Sequence, residues 1–256
     1  MQLIFDLDIG KSYKSASQRA HVLSEWWFER NCYCLACDSD SLSRTTANTS
    51  ATDFLCPTCG HRYELKTFQR RPKRSLVDGA YGSLMARINA RTTPTLCLLE
   101  RNVDWHIRSL TAIHSSFLIP SVIEKRPPLK ETARRAGWVG CNIRLDLIPS
   151  DGEISWVEAG NVQPKDQVRL KFRRYLPLID LPTNQRSWVA LTLRIVRSLG
   201  RQSFSLAEVY AKEREFSSEY PQSRHIREKI RQQLQALRNL GVLKFSGNGC
   251  YELTGP

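Results

Sequence analysis

Strand-like runs set among amphipathic helical stretches, two Cys-x-x-Cys pairs, and a terminal order of three helices and a hairpin decide the fold class. They predict a mixed α/β domain with an inserted four-cysteine zinc site over residues 1–182, followed by a winged-helix domain over residues 183–256. At 256 residues the chain can build a hydrophobic core without disulfide staples, so its eight cysteines need another use. No apolar run approaches the roughly 18 residues of a membrane-spanning helix. Residues 1–8 have neither a basic stretch nor a long apolar one, so no secretory signal is expected. The expected setting is a reducing cytoplasm, which favours metal over disulfides.

The elements follow in order. Residues 15–30 carry Ala16, Ala20, Leu23 and Trp27 at helical spacing, with Arg19, Glu25 and Arg30 elsewhere around the helix. Residues 38–52, rich in Ser, Thr and Asn, have no apolar period and read as loop. After a basic run, the positions Val77, Ala80, Tyr81, Leu84, Met85 and Ile88 read as one face of a second helix. Strand-like runs then dominate at residues 95–100, 103–110, 117–123, 143–148 and 154–158. The stretch 177–187, with Pro177, Pro182, Thr183 and Asn184, is the expected boundary. Beyond it, Trp188, Leu191, Ile195 and Leu199 mark a helix ending at Gly200. Ser205 and Glu208 form a capping-box pattern that opens the next, with Leu206, Val209 and Tyr210 as its apolar side. A third helix over residues 223–240 carries the stripe Ile226, Ile230, Leu234 and Leu237, with Gly241 as its C′ residue. Residues 242–245 and 250–253 close the chain as a hairpin about Ser246-Gly247-Asn248-Gly249.

Charge narrows the partner. With 38 Lys+Arg against 25 Asp+Glu, the formal net charge is +13, which points to a polyanion: nucleic acid first, an anionic membrane surface a distant second. Residues 186–256 hold 12 Lys+Arg against 6 Asp+Glu, so both halves are basic and the C-terminal one more densely.

Cys34-Leu-Ala-Cys37 and Cys56-Pro-Thr-Cys59 are separated by 18 residues, the spacing of a structural zinc site with four cysteine ligands. Four thiolates leave no open position for water, so such a site braces rather than catalyses. Cys32 is a register alternative to Cys34, and Cys97, Cys141 and Cys250 read as small core residues. If Cys56 to Cys59 is the turn of a hairpin, positions summing to 117 lie opposite each other, 53 with 64 and 55 with 62. Asp53, Glu64 and Lys66 then share one face. Opposed carboxylates repel unless a cation lies between them, and Mg2+ suits two carboxylates plus phosphate oxygens. Lys66 would position a water, or deprotonate it as the neutral amine, and as an ammonium would offset charge on a scissile phosphate.

Three further clusters fit DNA. Arg70, Arg71, Lys73 and Arg74 suit phosphates. Arg134 and Arg135 sit beside Trp138, whose ring reads equally as a core anchor or as an apolar face for a methyl group. On the third C-terminal helix, Arg227, Arg231, Gln235 and Arg238 fall within about 80° of one another, as on a recognition helix.

Asp53 with Glu64-Leu65-Lys66 resembles the PD-(D/E)xK nuclease motif, with Thr52 in place of the usual proline. The chain as a whole is similar to the DpnI-like methyl-directed (type IIM) restriction endonucleases. The matching segments are Ser12-Tyr13-Lys14-Ser15, both Cys pairs, Glu64-Leu65-Lys66, Asp78-Gly79-Ala80-Tyr81, the block from Thr132 to Ile143, and that from His225 to Leu234. The resemblance implies a PD-(D/E)xK catalytic domain, structural Zn2+, catalytic Mg2+ bound by Asp53, Glu64 and the Leu65 carbonyl, and a winged helix. It implies that Trp138 forms the methyl pocket of the nuclease domain. The implied activity is that of a type II site-specific deoxyribonuclease, cutting double-stranded DNA at Gm6ATC when the adenine is methylated. The alternative is a zinc-ribbon and winged-helix regulator without catalysis, in which Asp53 and Glu64 are structural.

Overall fold

The computed structural model describes residues 1–46 and 52–254; of the expected loop at 38–52, residues 47–51 lie outside the described residues. Its helices are α1 (Ala16–Asn31), α2 (Tyr81–Ala90), α3 (Lys165–Arg173), α4 (Thr183–Ser198), α5 (Leu206–Tyr210), α6 (Glu213–Glu219) and α7 (Ile226–Asn239). Its strands are β1 (Ser43–Arg44), β2 (Phe54–Leu55), β3 (Arg62–Phe68), β4 (Ser75–Ala80), β5 (Thr95–Arg101), β6 (Ile107–Ile113), β7 (Ile123–Lys125), β8 (Gly140–Arg144), β9 (Glu153–Glu158), β10 (Asn161–Val162), β11 (Ser203–Ser205), β12 (Leu243–Gly247) and β13 (Cys250–Leu253). The chain divides into two compact units, each assembled from segments distant in sequence. One comprises Met1–Lys73, Thr92–Ser115 and Glu153–Leu176; the other comprises Arg74–Arg91, Ser116–Gly152 and Pro177–Pro256.

In the first unit a mixed sheet runs β1-β2-β3-β5-β6-β9-β10, with β3 and β5 parallel and the other neighbours antiparallel. Helix α1 forms where its periodicity predicts, and Leu23, Trp27 and Phe28 bury on its inner side. Phe28 meets Phe54 at 4.7 Å and Trp156 edge-on at 6.0 Å, so strands β2 and β9 share one aromatic core with the helix. The Trp27 indole donates to the Gln2 carbonyl at 2.8 Å and anchors the start of the chain. Helix α3 gives almost no apolar signal, since only Val168 and Phe172 among its apolar residues are buried.

Phe172 covers a buried histidine: the His114 ring lies 4.2 Å from it. Burial, helped by the nearby His61, lowers the His114 pKa from 6.5 to about 3. The unfolded chain therefore takes up this proton near 6.5 and the folded chain only near 3. The contribution to stability is complete above pH 6.5 and is lost as pH falls towards 3, by about 1.4 kcal/mol per pH unit at the steepest. Urea titrations at pH 7 and pH 5 should show a shallower decline for His114→Phe than for the wild type. Parallel declines would mean that His114 does not set the acid limit.

In the second unit a three-stranded sheet runs β4-β8-β7. The expected helical face starting at Val77 is divided there. Over β4, buried Leu76 and Asp78 alternate with Val77 and Gly79, which are exposed, and the helix begins only at Tyr81, burying Leu84 and Ile88. Period two has overridden the helical spacing because the segment pairs with β8. The runs at 103–110 and 143–148 hold shorter strands than expected, and the expected strand at 117–123 does not form, β7 starting only at Ile123. The first opens on a turn and enters β6 at Ile107; the second is buried but broken by a 3-10 turn at Pro120–Val122; the third leaves β8 for a 3-10 turn at Leu145–Leu147.

The C-terminal elements keep their expected order and add α6 and β11. The Ser205 hydroxyl accepts from the Glu208 amide at 3.3 Å, and the Glu208 carboxylate accepts from the Ser205 amide at 2.8 Å, completing the capping box. Gly241 takes φ +67° after α7, a left-handed conformation that a Cβ would strain. Strands β11, β13 and β12 form the wing sheet in that order. Among the described residues no helix is long and apolar enough to cross a membrane.

Candidate active site and metal centre

The Sγ atoms of Cys34, Cys37, Cys56 and Cys59 all lie within 4.8 Å of one another. Cys34 and Cys59 are 3.6 Å apart and Cys37 and Cys56 are 3.5 Å apart. Tetrahedral Zn–S bonds of about 2.3 Å separate sulfurs by about 3.8 Å, so this donor set fits zinc in both chemistry and size. Burial raises the Cys34 thiol above its usual range. Burial also opposes ionisation of Cys56, but the amides of Cys59 and Thr58 and the neighbouring cysteines bring it down to about 6. Cys32 is not in the cluster; it caps α1 and is buried, which holds its thiol well above the usual range. Cys97 and Cys141 are buried as expected, whereas Cys250 is exposed because its side of the short terminal hairpin faces solvent.

Two residues that sequence reasoning did not pick out fix the first knuckle. The Tyr63 hydroxyl, on β3, lies 3.3 Å from the Cys34 sulfur and accepts from the Leu35 amide at 2.9 Å. Arg169, buried on α3, donates to the Cys34 carbonyl at 3.0 Å, the Ser39 carbonyl at 2.8 Å and Asp40 at 3.0 Å. A basic row at Lys165, Arg169 and Arg173 facing acidic Asp38 and Asp40 was the available clue.

The adjacent hairpin has the expected register, with Leu55 opposite Arg62 and Phe54 opposite Tyr63. At Asp53 the expected pairing of 53 with 64 is not kept: the strand ends at Phe54, and the Asp53 amide donates to the Tyr63 carbonyl at 2.9 Å, one residue out of that register. Past the end of β2, the Asp53 carboxylate takes over and accepts from the Leu65 amide at 2.7 Å. Phe54, Tyr63 and Leu65 belong to the core side of the sheet. Alternation along β3 puts Glu64 and Lys66 on the other, where Lys66 Nζ lies 2.7 Å from Glu64 Oε1; Asp53 stands in the bend before β2 and is joined to β3 through its bond to the Leu65 amide. The structure thus sets Glu64, the Leu65 peptide and Lys66 in succession on β3 and holds the Asp53 carboxylate against that strand at the Leu65 amide.

The basic run is less uniform than its sequence. Arg70, Lys73 and Arg74 are exposed, but Arg71 is bound to Glu153 at 2.7 Å and to Thr111 at 3.2 Å. Arg74 belongs to the second unit and the other three to the first.

In the second unit Trp138 is half-buried and Arg134 and Arg135 are exposed. The Trp138 carbonyl accepts from the Leu129 amide at 2.9 Å, and the Gly137 amide donates to the Leu129 carbonyl at 3.0 Å, closing the loop that carries them. A Cβ at Gly140 would come within 2.8 Å of the Trp138 ring, so only glycine lets that ring lie against the strand. The Arg135 guanidinium sits 4.7 Å from the ring centroid.

Helix α7 presents Arg227, Arg231, Gln235 and Arg238 to solvent, as its periodicity predicts. Arg227 pairs with Glu213 at 3.0 Å, and both Arg227 and Arg231 lie over the Tyr210 ring. Arg238 lies over Phe245 on the wing and donates to Gln235 at 2.9 Å. Tyr210, read in the sequence only as part of the apolar side of its helix, and Phe245, read only as part of the hairpin, instead carry arginine contacts; Phe245, an exposed aromatic on a hairpin, was the clearer signal.

Comparison with known proteins places these features. The DpnI model, described as the Dam-replacing family, matches residues 1–180. A second model, the Dam-replacing HTH domain, matches residues 184–253 and makes DNA the partner of the winged helix. The chain therefore belongs to the DpnI (Dam-replacing) family of DNA-binding proteins with a methyl-directed, restriction-type function.

Proposed function

We propose that the chain is a Mg2+-dependent type II restriction endonuclease of the PD-(D/E)xK class, cutting double-stranded DNA at Gm6ATC. The observation that carries this reading is the Asp53 carboxylate bonded to the Leu65 peptide, which lies between Glu64 and its ion-pair partner Lys66 on β3. A DNA-binding regulator has no use for such a constellation. The oxygens of Asp53, Glu64 and the Leu65 carbonyl form a hard donor set that suits Mg2+. When bound, Mg2+ supplies Lewis-acid stabilisation of charge on the scissile phosphate. Asp53 keeps the Leu65 peptide in place through its bond to the amide. Lys66 stands next to Glu64, where its ammonium can orient an attacking water and offset phosphate charge. Zinc on Cys34, Cys37, Cys56 and Cys59 braces the hairpin that carries both acids.

In this reading residues 1–182 form the nuclease domain and residues 183–256 the winged helix. Trp138, with Arg134 and Arg135, reads the methylated adenine, while Arg227, Arg231, Gln235 and Arg238 contact DNA from α7. Arg70, Lys73 and Arg74 hold backbone phosphates, and Arg71 supports them from its bonds to Glu153 and Thr111. Burying one methyl contributes only about 0.8 kcal/mol, so discrimination is built from more than one contact. The decisive experiment incubates plasmid from adenine-methylating and non-methylating hosts with the protein and Mg2+. Fragments should appear only from the methylated plasmid and should end at GATC. If neither plasmid is cut, or both are cut equally, the assignment is wrong.

A further inference from the structure

The second compact unit joins parts of the chain that the two family matches divide. Residues 74–91 and 116–152 lie within the first match, yet they pack with the winged helix. Helix α4 is the shared element. Every residue from Arg186 to Leu193 is buried, so the helix is covered all round rather than along one stripe. It packs on α7 and on the turn Pro120–Val122.

Polar contacts fix this packing at both ends of α4. Towards its C-terminus, Arg197 grips both oxygens of Asp151 at 2.6 Å and 2.7 Å, and the Asp151 side chain is only 3% exposed. A bidentate fork sets orientation as well as distance. Towards its N-terminus, buried Arg186 donates to the Ile88 carbonyl at 2.7 Å, near the end of α2. Arg91, the C-cap of that helix, donates to the Asp180 carbonyl at 2.6 Å, just before α4.

We propose that Asp151, Arg197 and Arg186 are positioning residues that make the winged helix and the β7–β8 segment bearing Trp138 one DNA-reading body. The acids of the cleavage site belong to the other unit. This rests on reading Trp138 and α7 as DNA contacts. A rigid link between two reading elements makes the second contact effectively intramolecular once the first has formed, so their discriminations combine. The sequence boundary near residue 182 is then a point where the chain passes through the reading body, not its edge.

The test is hydrogen exchange on the full-length chain, comparing wild type with Asp151→Asn and Arg197→Lys. Amides of β7–β8 and of α4 and α7 should lose protection together, while β3, β5 and β6 keep theirs. Loss confined to α4 and α7, or spread equally over β3 and β5, would overturn the proposal. Arg197→Lys keeps the charge without the fork, so it reports even if Asp151→Asn does not fold. A second readout separates positioning from plain stability. At a temperature where each variant is fully folded, the preference for methylated over unmethylated plasmid should fall by about tenfold through KM, with kcat on methylated DNA retained. An unchanged preference in a variant whose exchange has changed would remove the specificity role. The exchange result needs no cleavage, so it stands apart from failure of the nuclease assignment.

Discussion

Asp53→Asn should cut methylated DNA at least about 1,000-fold more slowly than wild type while folding and binding DNA as before. Asparagine is the informative replacement because it separates the bond to the Leu65 amide from the proposed binding of Mg2+. Its side-chain carbonyl can still accept the Leu65 amide that Asp53 accepts at 2.7 Å, so the edge of β3 stays satisfied. Only the negative charge is lost, and with it the affinity for a hard divalent cation beside Glu64. Asp53→Ala removes the acceptor as well and should add a stability cost of about 1 kcal/mol. Single-turnover cleavage, fluorescence anisotropy on a methylated duplex and thermal melting together separate these effects. Cleavage by Asp53→Asn within about tenfold of wild type would mean that the carboxylate only caps the strand.

Much of the site was legible because its residues are close in sequence. Two Cys-x-x-Cys pairs and a tight turn define a register by arithmetic, and β2 and β3 follow it. The helices around the wing were legible for a similar reason: capping box, apolar stripe and terminal glycine lie within one turn of the positions they control. What escaped depends on partners far along the chain. Residues 75–80 pair with residues 140–144, and that pairing converts a helical pattern into a strand. Helix α3 is polar because one of its arginines is itself buried, holding carbonyls of the first knuckle more than 100 residues away. The contacts of α4 with residue 88 and with the turn at 120–122 likewise have no local signal near residue 182. Trp138 illustrates the limit within one residue. Its half-buried ring, resting against Gly140, is both anchored and accessible, and no periodicity distinguishes that state from either extreme.

Zinc removal should have the second large effect, and it should act on stability and cleavage together. The knuckles supply four thiols from two turns, and Tyr63 links the first of them to the strand that bears Glu64 and Lys66. Without the ion, four sulfurs drawn within 4.8 Å lose their common ligand, and ionised ones repel. Structural zinc contributes folding free energy directly, so its loss should lower the melting temperature by roughly 10 °C or more. Released Tyr63 then leaves the start of β3 without its tie to the Leu35 amide, and cleavage falls even with Mg2+ in excess. Metal analysis should find one zinc per chain, lost in Cys34→Ser and Cys56→Ser. Cys250→Ser, at an exposed position on the wing, should retain zinc, stability and activity. Cys32→Ser should also retain zinc, because Cys32 stands outside the cluster. A purified protein free of zinc that melts identically with and without a strong chelator would refute the brace. If instead zinc is lost and the protein destabilised while cleavage survives, the knuckle would be structural without supporting the acids.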